Sequence, residues 1–263
     1  MSAALISADA LTSLAEFSQS ALFVARGSGY TAALIAGAMT LGLVMGLPLS
    51  AVEVYGPGWI RKLAWLYVWF FRGIPILVLM FLIYFGVFDF IEDLYQKVFE
   101  DRLILSPFMA SVLALGLASA AYQSQIFKGA ILSLPPGQFM AARALGFTRL
   151  GAARHVILPQ AIRISIPAWS NEYSILLKDS AVAYVLGTME IMARTRFMAS
   201  TTFAHIRFYF LAGLLYFALT WIGVKALAAL DAKTRVPGLG HEAYRAEDLA
   251  LEEAALLEKA KSP

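Results

Sequence analysis

The chain has 263 residues, of which 60% are hydrophobic and 15% are charged, and its formal net charge at pH 7 is +3. Soluble domains carry about 25% charged residues, so this composition excludes an ordinary soluble domain and predicts a protein that crosses the membrane several times. Cysteine is absent, which excludes disulfides, iron-sulfur clusters and thiolate metal sites but does not identify the compartment. The net positive charge does not indicate a nucleic-acid partner, because basic residues of membrane proteins collect on cytoplasmic loops.

Residues 1–29 are predicted to form an N-terminal extracytoplasmic segment. The first twenty residues contain Asp9 and Glu16 and no Lys or Arg, so they lack the basic start of a secretory signal. The first apolar stretch is therefore expected to stay in the mature protein. A transmembrane domain is predicted over 30–230, and a cytoplasmic tail, either helical or solvated and disordered, over 231–263.

The gaps between charged residues predict five membrane-spanning helices, over about 30–51, 63–88, 103–127, 164–189 and 208–224. The first is rich in Gly and Ala, which let membrane helices approach closely. The second contains Arg72, Gly73 and Pro75, so it is expected to be kinked or broken. The third carries no charge, and the fourth carries three charged residues.

The distribution of charge predicts which side of the membrane each loop occupies. No acidic residue lies between 103 and 171, and the basic residues after the third span are Lys128, Arg143, Arg149, Arg154 and Arg163. The positive-inside rule places this loop in the cytoplasm, so the N-terminus lies outside and the C-terminus inside. This orientation puts 13 of the 21 basic residues inside and 6 outside. The outer side then includes three that count against it: Arg194, Arg196 and Arg207.

The cytoplasmic loop, 129–163, contains short helix-forming runs separated by helix breakers. Leu134-Pro135-Pro136-Gly137 ends the descending helix, a run that favours helix follows, and Gly146 is a second breaker. A second short helix is predicted to run to Pro159. Two small helices rich in alanine, lying along the membrane surface, predict a rigid knob that seats in a groove of another protein.

This loop resembles the EAA loop of ABC importer membrane subunits, in which Glu-Ala-Ala is followed by three residues, Gly, and later Leu-Pro. Three further segments are similar to the polar amino-acid uptake group: Phe71-Arg72-Gly73-Ile74-Pro75-Ile76-Leu77, Ala121-Tyr122-Gln123 through Gly129, and Leu176-Leu177-Lys178-Asp179-Ser180. The resemblance covers about 31–224. For the loop taken alone, an ordinary amphipathic linker is the alternative.

The resemblance implies an all-α membrane protein of about five transmembrane helices, with the MetI-like type I ABC importer permease fold, in the cytoplasmic (inner) membrane of a prokaryote. It implies a permease subunit that moves polar amino acids by alternating access. The implied partners are a second permease subunit (the same chain or a paralogue), two ABC ATPase subunits and an extracytoplasmic solute-binding protein. The residues that it assigns to ATPase coupling are Gln138, Met140, Ala141, Ala142, Arg143, Gly146 and Pro159.

The chain is not expected to be an enzyme or to bind a cofactor itself, because it lacks a Gly-x-x-x-x-Gly-Lys-Ser/Thr loop that could cradle phosphates. ATP and Mg are expected to be used by the partner ATPase subunits. His155 and His205 are isolated from other possible ligands, so a metal site is not expected.

Three positions depart from the family pattern, and each departure removes a negative charge. Met140 stands where Glu commonly opens the EAA signature, Trp69 stands where an acidic residue often precedes the Phe-Arg-Gly motif, and Gln125 replaces another frequent Glu. These changes favour either a solute that is not cationic or a partner subunit that supplies the acids, as in a heterodimer.

The candidate substrate-binding residues are the ionisable groups within the predicted spans and one glycine: Arg72, Gly73, Glu172, Lys178 and Asp179. A charge at membrane depth is costly and indicates a function. Arg72 could bind a solute carboxylate, snorkel to an interface, or pair with Glu172. Lys178 and Asp179 are neighbours about 100° apart on a helix, which favours bonds to other helices over a shared solute site.

Two other classes of function compete with the permease. A secondary transporter or channel without an ATPase partner would commonly show internal repeats, and the chain has no convincing repeat. An intramembrane enzyme would need a catalytic constellation at membrane depth, and neither His155 nor His205 is placed there.

Overall fold

The computed structural model describes residues 16–99 and 105–234, and these ranges contain helices and no strand. Most of the predicted N-terminal segment (1–15) and of the predicted tail (235–263) lies outside the described residues. Residues 16–25 are helical and lead into α1. The helices that follow are α1 (Gly27–Tyr55), α2 (Gly58–Gly73), α3 (Ile76–Phe81), α4 (Phe88–Phe99), α5 (Pro107–Leu132), α6 (Pro136–Ala144), α7 (Arg149–Ala152), α8 (Leu158–Asp179), α9 (Ile191–Thr202) and α10 (His205–Thr234).

Within the described residues, each of the five predicted spans overlaps with helical structure. By length and hydropathy, Glu16–Tyr55 and His205–Thr234 can cross a membrane, and a third crossing is counted if α2 and the bent segment after it form one span. The helices α5 and α8 have 26 and 22 residues. At about 1.5 Å per residue both exceed the roughly 30 Å of a hydrocarbon core. The predicted all-α fold is confirmed.

The predicted break in the second span is confirmed. Helix α2 ends at Gly73, and α3 begins after Pro75, with a bend of 109° between the two parts. Proline cannot donate a backbone hydrogen bond, and it disfavours helix in the residue before it, so the helix ends here. A π-helical segment (Leu82–Val87) then joins α3 to α4.

The fourth span differs from the prediction at both ends. A π-helical segment (Ala153–Ile157) continues α7 into α8, so the second short helix does not end at Pro159. Pro159 lies instead in the first turn of α8, where a missing N–H is tolerated. At its other end α8 stops at Asp179, and a 3₁₀ helix (Ser180–Leu186) follows.

Helices α1 and α5 form the tightest pair of the core, and glycine makes their contact possible. A Cβ atom on Gly42 would lie 2.3 Å from the Gln123 side-chain nitrogen, and one on Gly46 would lie 2.9 Å from the Ala120 carbonyl oxygen. A side chain at Gly46 would meet the backbone of α5 and push the two helices apart, and one at Gly42 would displace the Gln123 amide from its hydrogen bonds. The small residues of the first span therefore act as the sequence predicted.

Two of the three basic residues that count against the predicted orientation, Arg194 and Arg196, have local partners. Arg194 donates hydrogen bonds to the carbonyls of Met189 and Phe23, and its guanidinium lies 4.7 Å from the centre of the Phe23 ring. The Arg196 guanidinium lies 4.5 Å from the centre of the Tyr184 ring. Both side chains therefore have a structural reason to lie on the side predicted to be outside.

Candidate functional site

The predicted knob comprises α6, the turn after it and α7 (residues 136–152). Pro136 opens α6 at a position where no backbone donor is needed. The helix ends in a Schellman motif, in which the Phe147 amide donates to the Ala142 carbonyl and the Gly146 amide donates to the Arg143 carbonyl. Gly146 has φ +89°, which a side chain disfavours, although a Cβ there would meet open space.

The second half of the knob is fixed by its own cap. The Thr148 hydroxyl accepts a hydrogen bond from the Gly151 amide at 3.0 Å, which starts α7 directly after the turn. Arg143 donates from its guanidinium to the Phe147 carbonyl. The loop is therefore a closed, hydrogen-bonded unit.

The base of the knob packs on the membrane helices. Ala130, Ile131, Leu134, Ile157 and Ala161 form a buried cluster. The rings of Tyr55 and Phe139 stack at the edge of this cluster, with their centroids 5.3 Å apart. The knob is therefore in direct contact with α1 and with the segments that join it to α5 and α8.

The knob residues predicted to couple to an ATPase divide into exposed and buried positions. Gln138, Met140 and Ala141 are exposed, and Met140 exposes 64% of its surface. Ala142 exposes only 3%, so it supports the knob from inside and does not form part of its outer surface. Two residues that sequence reasoning missed extend the exposed apolar face: Leu145 at 80% and Leu150 at 75%.

Arg72 lies in a cavity of ≈ 430 Å³ at the end of α2. The cavity is lined by Glu53, Trp65, Val68, Trp69, Arg72, Gly73, Gln125 and Lys128. The Arg72 guanidinium lies over the Tyr122 ring, 4.9 Å from its centre. Within residues 16–99 and 105–234 no carboxylate lies within ion-pair distance of Arg72, so the alternative of pairing with Glu172 is not formed.

The acid of this cavity, Glu53, is already neutralised. Lys128 lies 3.1 Å from one Glu53 oxygen, and the Gln125 amide donates to the other at 2.6 Å. Glu53 is buried, and sequence reasoning missed it because it lies beyond the predicted first span. The cavity therefore keeps one unpaired positive charge, on Arg72. Trp69 and Gln125, two of the positions where the family pattern commonly has an acid, line the same cavity.

Glu172 belongs to a separate buried network. The Ser119 hydroxyl donates to Glu172 at 2.8 Å, the Gln123 amide donates to Ser119 at 3.0 Å, and the Trp169 indole donates to Gln123 at 2.8 Å. This chain of bonds joins α5 to α8 and satisfies Glu172 without a cation. Glu172 thus has hydrogen-bonding partners of its own, and Arg72 acts on it electrostatically without forming an ion pair.

Lys178 and Asp179 lie at the end of α8. Lys178 is exposed and Asp179 is half-buried. In the described ranges neither side chain makes a hydrogen bond or ion pair with another helix, so the bonds to other helices that their sequence position favoured are not formed. The same ranges contain no group of three or more His, Cys, Asp or Glu side chains that could hold a metal ion.

A second buried acid was also missed by sequence reasoning. Glu190 is fully buried and caps α9 by accepting from the amides of Met192 and Ala193, both at 2.7 Å. The Tyr216 hydroxyl donates to the same carboxylate at 2.7 Å. These three donors give Glu190 a structural role at the start of α9.

Comparisons with known proteins agree with this architecture. Residues 38–236 match the family described as binding-protein-dependent transport system inner membrane component. The octopine transport system permease protein OccQ of Rhizobium meliloti is 35% identical over 211 residues, covering 80% of this chain and 89% of that protein. The probable amino-acid permease protein YxeN of Bacillus subtilis is 35% identical over 185 residues, covering 70% of this chain and 79% of that protein.

Solved structures give the same result. A crystal structure of an amino acid ABC transporter with histidines has a TM-score of 0.68 and 31% identity, and the match covers 84% of this chain and 97% of that one. An inward-facing MetNI methionine ABC transporter, at 18% identity and a TM-score of 0.67, shares the fold over 82% of this chain and 97% of that one. The MetI-like fold and the resemblance to ABC importer permeases are confirmed. The chain belongs to the family of binding-protein-dependent transport system inner membrane components.

Proposed function

We propose that this chain is the permease subunit of an ATP-driven importer that moves polar amino acids by alternating access. The complex would contain a second permease subunit, the same chain or a paralogue, two ATPase subunits that use ATP and Mg, and an extracytoplasmic solute-binding protein. The observation that carries the proposal is the knob, a closed helical unit seated on the membrane helices with an apolar outer face. The amino-acid specificity is supported by two of the similar proteins, a probable amino-acid permease and an amino acid ABC transporter.

The knob residues would have different roles in coupling to the ATPase. Gln138, Met140 and Ala141 would contact the ATPase, and Leu145 extends that contact surface. Ala142, Arg143 and Gly146 hold the shape of the knob. Pro159 joins the knob to α8, which carries motion of the ATPase into the membrane domain.

The cavity around Arg72 and Gly73 would receive the solute. The Arg72 guanidinium, which has no carboxylate partner, favours a solute that carries a carboxylate. Because the Trp69 and Gln125 side chains are uncharged, a solute with a net positive charge is disfavoured. Glu172, Lys178 and Asp179 do not line this cavity, so they would reach the solute only as the helices move.

Uptake by the reconstituted complex tests the proposed function. The test uses proteoliposomes that contain the permease and its ATPase subunits, supplied with binding protein and labelled amino acid. We expect the label to accumulate only when ATP is present on the side of the membrane that the ATPase subunits face. The same vesicles with a non-hydrolysable ATP analogue are the control. Uptake driven by an ion gradient without ATP would show a secondary transporter and contradict the proposal.

Single cysteines test the proposed orientation, with the knob and C-terminus in the cytoplasm and the N-terminus outside. The chain has no native cysteine, and Thr148 and Gln96 are both exposed. We expect Thr148→Cys to react with a membrane-impermeant thiol reagent only from the cytoplasmic side, and Gln96→Cys only from outside. The opposite pattern would invert the topology and place the knob out of reach of an ATPase.

A further inference from the structure

A second concave site lies between the C-terminal end of α1 and the segment that runs from α7 into α8. This groove has a volume of ≈ 680 Å³, within the range of about 300–1,000 Å³ typical of ligand sites. Its walls are apolar and include Leu47, Val52, Leu158 and Ile162. It shares no lining residue with the Arg72 cavity, so it is a separate site.

Two arginines complete the lining of this groove: Arg149 and Arg154. Both side chains are exposed, and in the described ranges neither guanidinium group makes a hydrogen bond or an ion pair. The nearby Arg61 and Arg143 differ, because each donates to a backbone carbonyl. Arg149 and Arg154 therefore keep their guanidinium donors available for an external anion.

An apolar groove with two free guanidinium groups matches a molecule that has an apolar body and an anionic head. The groove lies where two long helices, α1 and α8, meet the knob, which in the proposed orientation is the cytoplasmic end of both helices. Basic pockets between membrane helices on the cytoplasmic side fit anionic lipid headgroups. Arginine is also suited to a phosphate, because its planar fork can donate two parallel hydrogen bonds.

We propose that this groove binds an anionic phospholipid of the cytoplasmic leaflet. The acyl chains lie along Leu47, Val52 and Ile162, and the phosphate is held by Arg149 and Arg154. Because Arg149 belongs to α7, the bound lipid braces the base of the knob against α1. The proposal rests on the proposed function only for the orientation of the knob toward the cytoplasm, and lipid binding needs no transport.

Native mass spectrometry of the purified permease–ATPase complex tests this site. The complex is exchanged into dioleoyl phosphatidylglycerol or dioleoyl phosphatidylcholine, and the retained lipid is counted. We expect Arg149→Gln to lower phosphatidylglycerol retention about fivefold, and the double variant Arg149→Gln, Arg154→Gln about thirtyfold. Arg163→Gln is the matched control, because Arg163 is an exposed arginine of the same loop outside the groove, and its retention should equal that of the unmodified complex.

A second variant tests the apolar part of the groove. Ala51→Trp fills the groove and leaves both arginines in place, so it should displace phosphatidylglycerol as well. Unchanged retention in the double variant, or an equal loss in Arg163→Gln, would overturn the proposal. A photo-crosslinker at Ala51 that captures a second copy of the permease instead of lipid would also overturn it. A complex that retains lipid but fails to import amino acids would refute the proposed function alone.

Discussion

Arg72→Ala is expected to lower uptake of an amino acid by about 100-fold at limiting solute, while the permease still assembles with its ATPase subunits. Arg72 lines the cavity proposed to receive the solute, and it has no carboxylate partner in the described part of the chain. Two charge-assisted hydrogen bonds to a carboxylate contribute about 3 kcal/mol, which corresponds to that loss. Arg72→Lys keeps the charge but loses the fork, so an intermediate loss of about tenfold is expected.

A solute without the carboxylate provides the sharpest measurement for this prediction. The unmodified complex should prefer a labelled amino acid over its amide, and Arg72→Ala should abolish that preference. The same binding protein is used throughout, so its own selectivity cancels from the comparison. Arg72 also lies over Tyr122 and could simply brace α2 against α5. In that case Tyr122→Leu would reproduce the loss, and the ratio of acid to amide uptake would not change in either variant.

Leu145→Asp is expected to release the ATPase subunits from the permease and to abolish ATP-dependent uptake. Leu145 is 80% exposed at the turn of the knob, so the substitution leaves the fold of the knob intact and alters only its outer face. A buried carboxylate without a partner costs several kcal/mol at an interface, which is enough to abolish docking. Co-purification of the ATPase with the permease, followed by uptake in proteoliposomes, measures the effect.

Leu230→Asp is the matched control, because Leu230 is an exposed apolar residue near the end of α10, outside the knob. It should retain the ATPase. Ala142→Glu should also lose the ATPase, but for another reason: Ala142 is 3% exposed, so a charge there opens the knob and exposes the loop to protease. If Leu145→Asp co-purifies with the ATPase as well as Leu230→Asp does, the knob is not the docking surface.

Short-range features of the chain were predictable from residues that lie close together. Pro75 and Gly73 predicted the break in the second span, and Gly146 predicted the end of α6. Proline and glycine act on the backbone of their own turn, so their effect needs no distant partner. The prediction for Pro159 was wrong because a proline in the first turn of a helix is tolerated, and α8 continues through it.

The sequence by itself determined the membrane location, the helical spans, the position of the knob and the family, because apolar runs, helix breakers and motif spacing are local properties of the chain. Tertiary structure alone decided which of these residues work together. The pairing of Glu53 with Lys128 joins positions 75 residues apart, and the network of Glu172 with Ser119 joins positions 53 apart. The burial of Ala142 likewise depends on how the knob packs. Such contacts depend on how the helices pack in three dimensions, and the spacing of residues along the chain does not predict that packing.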